Sequence, residues 1–156
     1  MSESEDGLLT LLQRFAEEDV QYVLVGGHAV RLNGYVRGTE DIDILLPSSV
    51  ENGRKVIRAL GYLPSSKELD PAWFEVDPHA PDNIRVWDQV VVDLLFAANG
   101  ESYETLKPHI RLIDVQGIAV CVLDIAGLLK TKTDFREKDI LDKAVLRRIA
   151  QGLNPE

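Results

Sequence analysis

Two aspartates separated by a single residue, Asp41 and Asp43, stand in the segment Asp41-Ile-Asp-Ile-Leu-Leu46. In an extended strand residues two apart share a face, so this spacing sets two carboxylates side by side while Ile42 and Ile44 turn the other way. Like charges that close raise each other's cost of ionising, and a shared cation relieves it. Hard carboxylate oxygens suit Mg²⁺ or Mn²⁺, which keep water and phosphate oxygens for the rest of their shell. A third aspartate, Asp93, lies alone in Val90-Val-Val-Asp-Leu-Leu-Phe96, where a solitary carboxylate is costly without a partner. If the two strands are neighbours, Asp93 completes a three-carboxylate site. One metal would then hold a triphosphate and a second would acidify an attacking hydroxyl.

Gly26-Gly27 follows the apolar run Tyr22-Val-Leu-Val25. A turn free of side chains lets backbone N–H groups approach a phosphate, and a helix beginning there favours negative charge. The glycine pair takes its meaning from the Asp-x-Asp on the next strand. Arg37, between the two motifs, can pair structurally with the acids or bind a triphosphate or an acceptor. His28, just after the glycines, reads as a helix-surface histidine rather than a phosphate neighbour. Trp73, Phe74 and Trp87 are read as core, with the wall of a base or acceptor pocket as the alternative.

These residues need elements to hold them. Leu8, Leu9, Leu11, Leu12 and Phe15 recur at helical spacing, which predicts an amphipathic helix over 4–18. Strands are expected over 22–25 and 41–46, with a brief helix over 28–32 and a loop over 34–38 between them. Ser48 or Ser49 can cap a helix carrying Val56, Ile57 and Leu60 and stopped at Gly61. Residues 62–82, with prolines at 64, 71, 78 and 81, read as a long irregular loop with one helical turn near Trp73. Two hairpins follow, 84–87 with 90–96 through Asp88-Gln89, and 109–115 with 118–122 through Gln116-Gly117. Asp124 can cap a helix through Leu128 and Leu129. A last helix over 137–150 is expected to turn Ile140, Leu141, Ala144, Val145 and Ile149 inward, with Asp139 and Lys143 as an i,i+4 pair. The order predicts one α/β (α+β) domain over 1–156, a central mixed sheet flanked by helices, with a cleft where strands end at Gly26, Asp43 and Asp93.

Composition narrows the class. At 156 residues, 45% of them hydrophobic and 28% charged, the chain can bury a core and is neither disordered nor collagen-like. No apolar run reaches the roughly 20 residues that span a bilayer, and the start, Met1-Ser-Glu-Ser-Glu-Asp, is acidic where a signal peptide is basic. A cytoplasmic protein is expected. The one cysteine, Cys121, cannot form an internal disulfide and reads as a small core residue. A net charge of −9 argues against an unassisted nucleic-acid binder and favours a small-molecule or protein acceptor.

The stretch from Val25-Gly-Gly-His to Arg37-Gly-Thr-Glu-Asp-Ile-Asp-Ile44 resembles the signature of the DNA polymerase β-like nucleotidyltransferase superfamily. That signature is a glycine pair or Gly-Ser, a gap of about a dozen residues, Asp-x-Asp, and a third acid on a later strand. Its Arg-x-Thr-x-Asp-Ile-Asp form is similar to the AbiEii-like and antibiotic-modifying branches. So is the tail Leu128 to Asp142, where Lys132, Arg136, Lys138, Asp139 and Asp142 resemble a Lys…Arg-x-Lys-Asp-x-x-Asp element. In patches the resemblance spans about residues 20–142. It implies that Asp41, Asp43 and Asp93 bind Mg²⁺ or Mn²⁺ and are catalytic, and that Gly26, Gly27, Arg37, Thr39 and Lys132 hold a nucleoside triphosphate. Gly27 stands where many members carry a phosphate-contacting serine, which leaves that contact to the backbone.

The expected reaction is metal-dependent transfer of a nucleoside monophosphate to an acceptor hydroxyl, with release of pyrophosphate. The acceptor can be a small molecule, a protein or a tRNA, bound with the help of a homodimer or a partner protein. The alternatives are a catalytically weak binding subunit of a toxin–antitoxin pair and a metal-dependent phosphohydrolase.

Overall fold

Leu8, Leu11, Leu12 and Phe15 repeat at three- and four-residue intervals and are all buried. They form the inner stripe of helix α1 (Glu3–Glu17). The computed structural model describes residues 3–34 and 41–152, so Arg37 and Thr39 lie outside the described residues. After α1 come β1 (Val23–Val25), α2 (Gly26–Leu32), β2 (Asp41–Leu45), α3 (Val50–Ala59), β3 (Ile84–Trp87) and β4 (Val91–Leu95). The chain continues through α4 (Tyr103–Leu106), β5 (Ile110–Val115), β6 (Ile118–Leu123), α5 (Ile125–Thr131) and α6 (Glu137–Ala150).

The strands form one mixed sheet in the order β3-β4-β2-β1-β6-β5. β2 runs parallel to β4 and β1 parallel to β6, while the other three neighbours are antiparallel. Ile42, Ile44, Val86, Val92 and Leu94 are buried, as alternation along a half-buried strand requires. With the helices this makes the α/β domain expected of the sequence. No helix among the described residues is long and apolar enough to cross a membrane.

Caps fall where the chemistry of the residues puts them. Ser49 accepts the amide of Asn52 at the start of α3, and Asp124 accepts that of Gly127 at the start of α5. The buried Asn52 exchanges two hydrogen bonds with the backbone of Gln21, at 2.8 and 2.9 Å, and so ties α3 to the chain entering β1.

Three expectations are corrected. The 62–82 segment holds more than one helical turn: 3₁₀ turns at Pro64–Glu68 and Pro71–Phe74 both begin on a proline, whose fixed φ and missing N–H suit that position. The short helix α4, capped by Ser102, went unread because four residues are too few to show a period. In α6 the inward residues are Asp139, Asp142 and Leu146, whereas Ile140 and Leu141 are 49% and 62% exposed. A buried Lys132–Asp142 ion pair and the Asp139 contacts to Thr133, not apolar residues alone, set the roll of that helix.

Candidate active site

Strand register carries the site across four strands. Val25 of β1 pairs with Asp43 of β2, Asp43 with Asp93 of β4, and Asp93 with Arg85 of β3. Asp41 stands two residues along β2, opposite Val91, which pairs in turn with Trp87. Side chains in these two rows point away from the buried Ile42, Ile44, Val92 and Leu94, so three carboxylates share one face. The adjacency on which a role for Asp93 depended is present.

Gly26 ends β1 with φ +70°, a left-handed conformation that L side chains rarely adopt. A Cβ built there would sit 2.1 Å from Oδ2 of Asp43. The glycine turn therefore makes room for the Asp43 carboxylate as well as opening a backbone surface, and Gly27 beside it also lines the cleft.

Burial, and then the charge of Asp93 and a hydrogen bond with it, push the Asp43 carboxyl up to about 6; Asp41 adds to the rise and Lys138 opposes it. Arg85 answers part of this negative charge. Its Nε lies 2.7 Å from Oδ1 of Asp93, its Nη2 3.0 Å from Oδ2 of Asp93 and 3.4 Å from Oδ2 of Asp41. Those contacts hold the guanidinium above its ordinary pKa. As the side chains stand, no group of three or more His, Cys, Asp or Glu among the described residues converges as a ready ligand set. The donor chemistry nonetheless fits a hard divalent cation: three carboxylates on one face, one of them pushed toward protonation by burial and then by the other two.

The opposite wall comes from the α5–α6 junction. The cleft, about 410 Å³, is lined by Gly26, Gly27, Asp41, Asp43, Asp93 and Arg85 on one side and by Lys132, Thr133, Arg136, Lys138 and Asp139 on the other. Lys132 is buried, with Nζ 3.2 Å from Oδ2 of the buried Asp142. Asp139 accepts the amide and the hydroxyl of Thr133 at 3.0 and 2.8 Å. That arrangement replaces the expected Asp139–Lys143 pair, and Lys143 bonds Asp134 instead. Arg136 and Lys138 are exposed in the cleft. Asn99, in a left-handed conformation, donates to the carbonyls of Lys130 and Lys132 and so fixes the wall to the end of β4.

The structure thus brings together Gly26, Gly27, Asp41, Asp43, Asp93 and Lys132. His28 departs from expectation: it is 1% exposed, not on the helix surface, with Nδ1 3.4 Å from Nη2 of Arg31. Of the three aromatic residues only Phe74 is core, while Trp73 and Trp87 are 52% and 70% exposed. Arg85, Asn99 and Asn83 were missed. Arg85 sits in Ile84-Arg-Val-Trp87, the alternation of any half-exposed strand, and only its cross-strand partner distinguishes it.

A scan against protein families finds no match, and a search of curated proteins finds none either. Solved structures do match. The lincosamide antibiotic adenylyltransferase LnuA, in its lincomycin-bound form, is 19% identical, with a TM-score of 0.59 over 96% of this chain and 98% of its own. A Thermotoga maritima protein provisionally assigned as a nucleotidyltransferase is 20% identical, with a TM-score of 0.54 over 79% of this chain and 80% of its own. The antibiotic-resistance factor ANT(2'')-Ia is 15% identical, with a TM-score of 0.51 over 94% of this chain and 82% of its own. The chain has a nucleotidyltransferase-like fold.

Proposed function

Taking that fold as the premise, we propose that the chain transfers a nucleoside monophosphate from a nucleoside triphosphate to an acceptor hydroxyl and releases pyrophosphate. The observation that carries this reading is the register pair Asp43–Asp93, with Asp41 on the same face, at the mouth of the cleft that Gly26 opens. Asp41, Asp43 and Asp93 would hold Mg²⁺ or Mn²⁺, which supplies charge neutralisation at the triphosphate and acidifies the acceptor hydroxyl.

The chain's own residues do the positioning. The backbone of Gly26 and Gly27 would face the phosphates, and Arg136 and Lys138 would face them from the opposite wall, where Lys132 would join them by exchanging Asp142 for a phosphate oxygen. Arg37 and Thr39 keep the triphosphate role that the sequence resemblance implies. The acceptor oxygen bonds to the α-phosphorus as the bond from that phosphorus to the bridging oxygen breaks. Pyrophosphate leaves with that oxygen, and the acceptor proton passes to Asp93. Catalysis rests on alignment and electrostatics. The antibiotic named with LnuA makes a small hydroxyl-bearing molecule the first acceptor class to screen, followed by proteins and tRNA.

Incubation with each α-labelled nucleoside triphosphate, Mg²⁺ and an acceptor panel tests the reading. Wild-type protein is expected to label an acceptor and release pyrophosphate, and Asp41→Ala/Asp43→Ala to do neither. Equal labelling by the two proteins would remove the aspartates from the reaction, and release of inorganic phosphate would make the protein a phosphohydrolase.

A further inference from the structure

We propose that Arg85 is the resident counter-ion of the carboxylate cluster, and that it must leave Asp93 and Asp41 before a divalent cation can be held there. The inference rests on the nucleotide-transfer reading, which places a metal at these aspartates. It concerns what fills their oxygens beforehand.

The contact is built into the sheet. Arg85 and Asp93 are direct partners in the antiparallel register of β3 and β4, so the backbone delivers the guanidinium to this carboxylate. The grip is two-pronged: Nε and Nη2 take the two oxygens of Asp93 at 2.7 and 3.0 Å, and Nη2 also reaches Oδ2 of Asp41 at 3.4 Å. These are the oxygens a metal would need. Each oxygen keeps a second lone pair, so the competition comes from the positive charge and the space that the guanidinium already takes at these oxygens.

Arg85 is placed to exchange: it is half exposed, on an edge strand, with the Trp87 ring 5.9 Å from its Cζ. Asp93, by contrast, is mostly covered, with 16% of its side chain exposed, and is poor at moving. Arg85 grips Asp93 and Asp41 directly and Lys138 acts on Asp43 from the opposite wall, so the three carboxylates draw on shared positive charge at the point where a divalent cation would compete. The cluster is held in place without metal, and its oxygens are released only to an ion that outcompetes the arginine.

Trp87 reports the movement. The chain has two tryptophans, so Trp73→Phe leaves Trp87 as the sole indole emitter. Mg²⁺ is titrated without nucleotide, followed by calorimetry and by Trp87 emission. The emission is expected to change with the calorimetric midpoint as the guanidinium moves relative to the ring. Arg85→Gln is expected to bind Mg²⁺ about tenfold more tightly and without the emission change, since an exposed ion pair has a modest energy to release. Arg85→Lys keeps the charge but loses the two-pronged grip, and is expected to fall between.

Mg²⁺ binding that leaves Trp87 emission untouched, or Arg85→Gln binding no more tightly than wild type, would overturn displacement. Equal affinity in Arg85→Lys and wild type would do the same, because charge alone would then explain the effect. In each of these cases, label transfer in the acceptor assay would leave the nucleotide-transfer reading standing. Absence of Mg²⁺ binding in both wild type and Arg85→Gln would overturn displacement alone, because the triphosphate that completes the ion's shell is absent from this titration.

Discussion

Burial places Asp43 where its charge is costly, and Asp93 and Asp41 add to that cost; its carboxyl rises from 3.8 to about 6. A carboxyl that binds its proton more tightly in the folded state stabilises the fold at low pH. That contribution is complete below 3.8 and is lost as pH rises through about 6. Without divalent metal, wild type should therefore lose stability between pH 4 and 7 relative to Asp43→Asn, which carries no charge to bury. Thermal melts in EDTA are expected to coincide near pH 3 and to separate by roughly 6–12 °C in favour of Asp43→Asn at pH 7.5. Parallel melts across the range would show that Asp43 titrates normally. The same residue explains the glycine turn: any Cβ at Gly26 would stand on its Oδ2.

At the scale of elements, the sheet and the α5–α6 junction hold the two walls by different physics. The sheet wall is fixed by hydrogen-bond register, and the junction by buried polar contacts. Lys132 and Asp142 are both buried with 3.2 Å between Nζ and Oδ2, and Thr133 is held by Asp139. Removing one member of such a pair strands a charge, while replacing both by apolar groups costs far less. Lys132→Met should lower unfolding stability by about 3 kcal/mol, and Lys132→Met/Asp142→Leu should recover most of it, as read by urea titration. A double variant no better than the single would mean that the pair does not set the roll of α6. This pair also explains why the apolar Ile140 and Leu141 face outward.

For the whole molecule, the two walls meet only in the folded chain. Ligands that bridge them should therefore favour the folded state by mass action. Mg²⁺ with a non-hydrolysable triphosphate analogue at a hundred times its Kd is expected to raise the Tm by roughly 5–10 °C, from about 2.7 kcal/mol of linkage. Asp41→Ala/Asp43→Ala should show no shift. An equal shift in that variant would place the nucleotide elsewhere.

What the sequence by itself determined was local. A period of two puts Asp41 and Asp43 on one strand face, and a side-chain-free turn at Gly26 follows from residues adjacent in the chain. The Gln116-Gly117 hairpin turn and the caps at Ser49 and Asp124 are equally local, and the first hairpin turn ends one residue later than expected, over Asp88-Gln89-Val90. Tertiary structure decided what depends on pairing between distant segments. It set Asp93 opposite Asp43 fifty residues away and brought Arg85 onto both acids. It also drew Lys132 inward to Asp142 and left Trp87 in the open. The physical reason is register: a strand's sequence shows which residues share its face, but only the backbone hydrogen bonds to its neighbour select which of them meet.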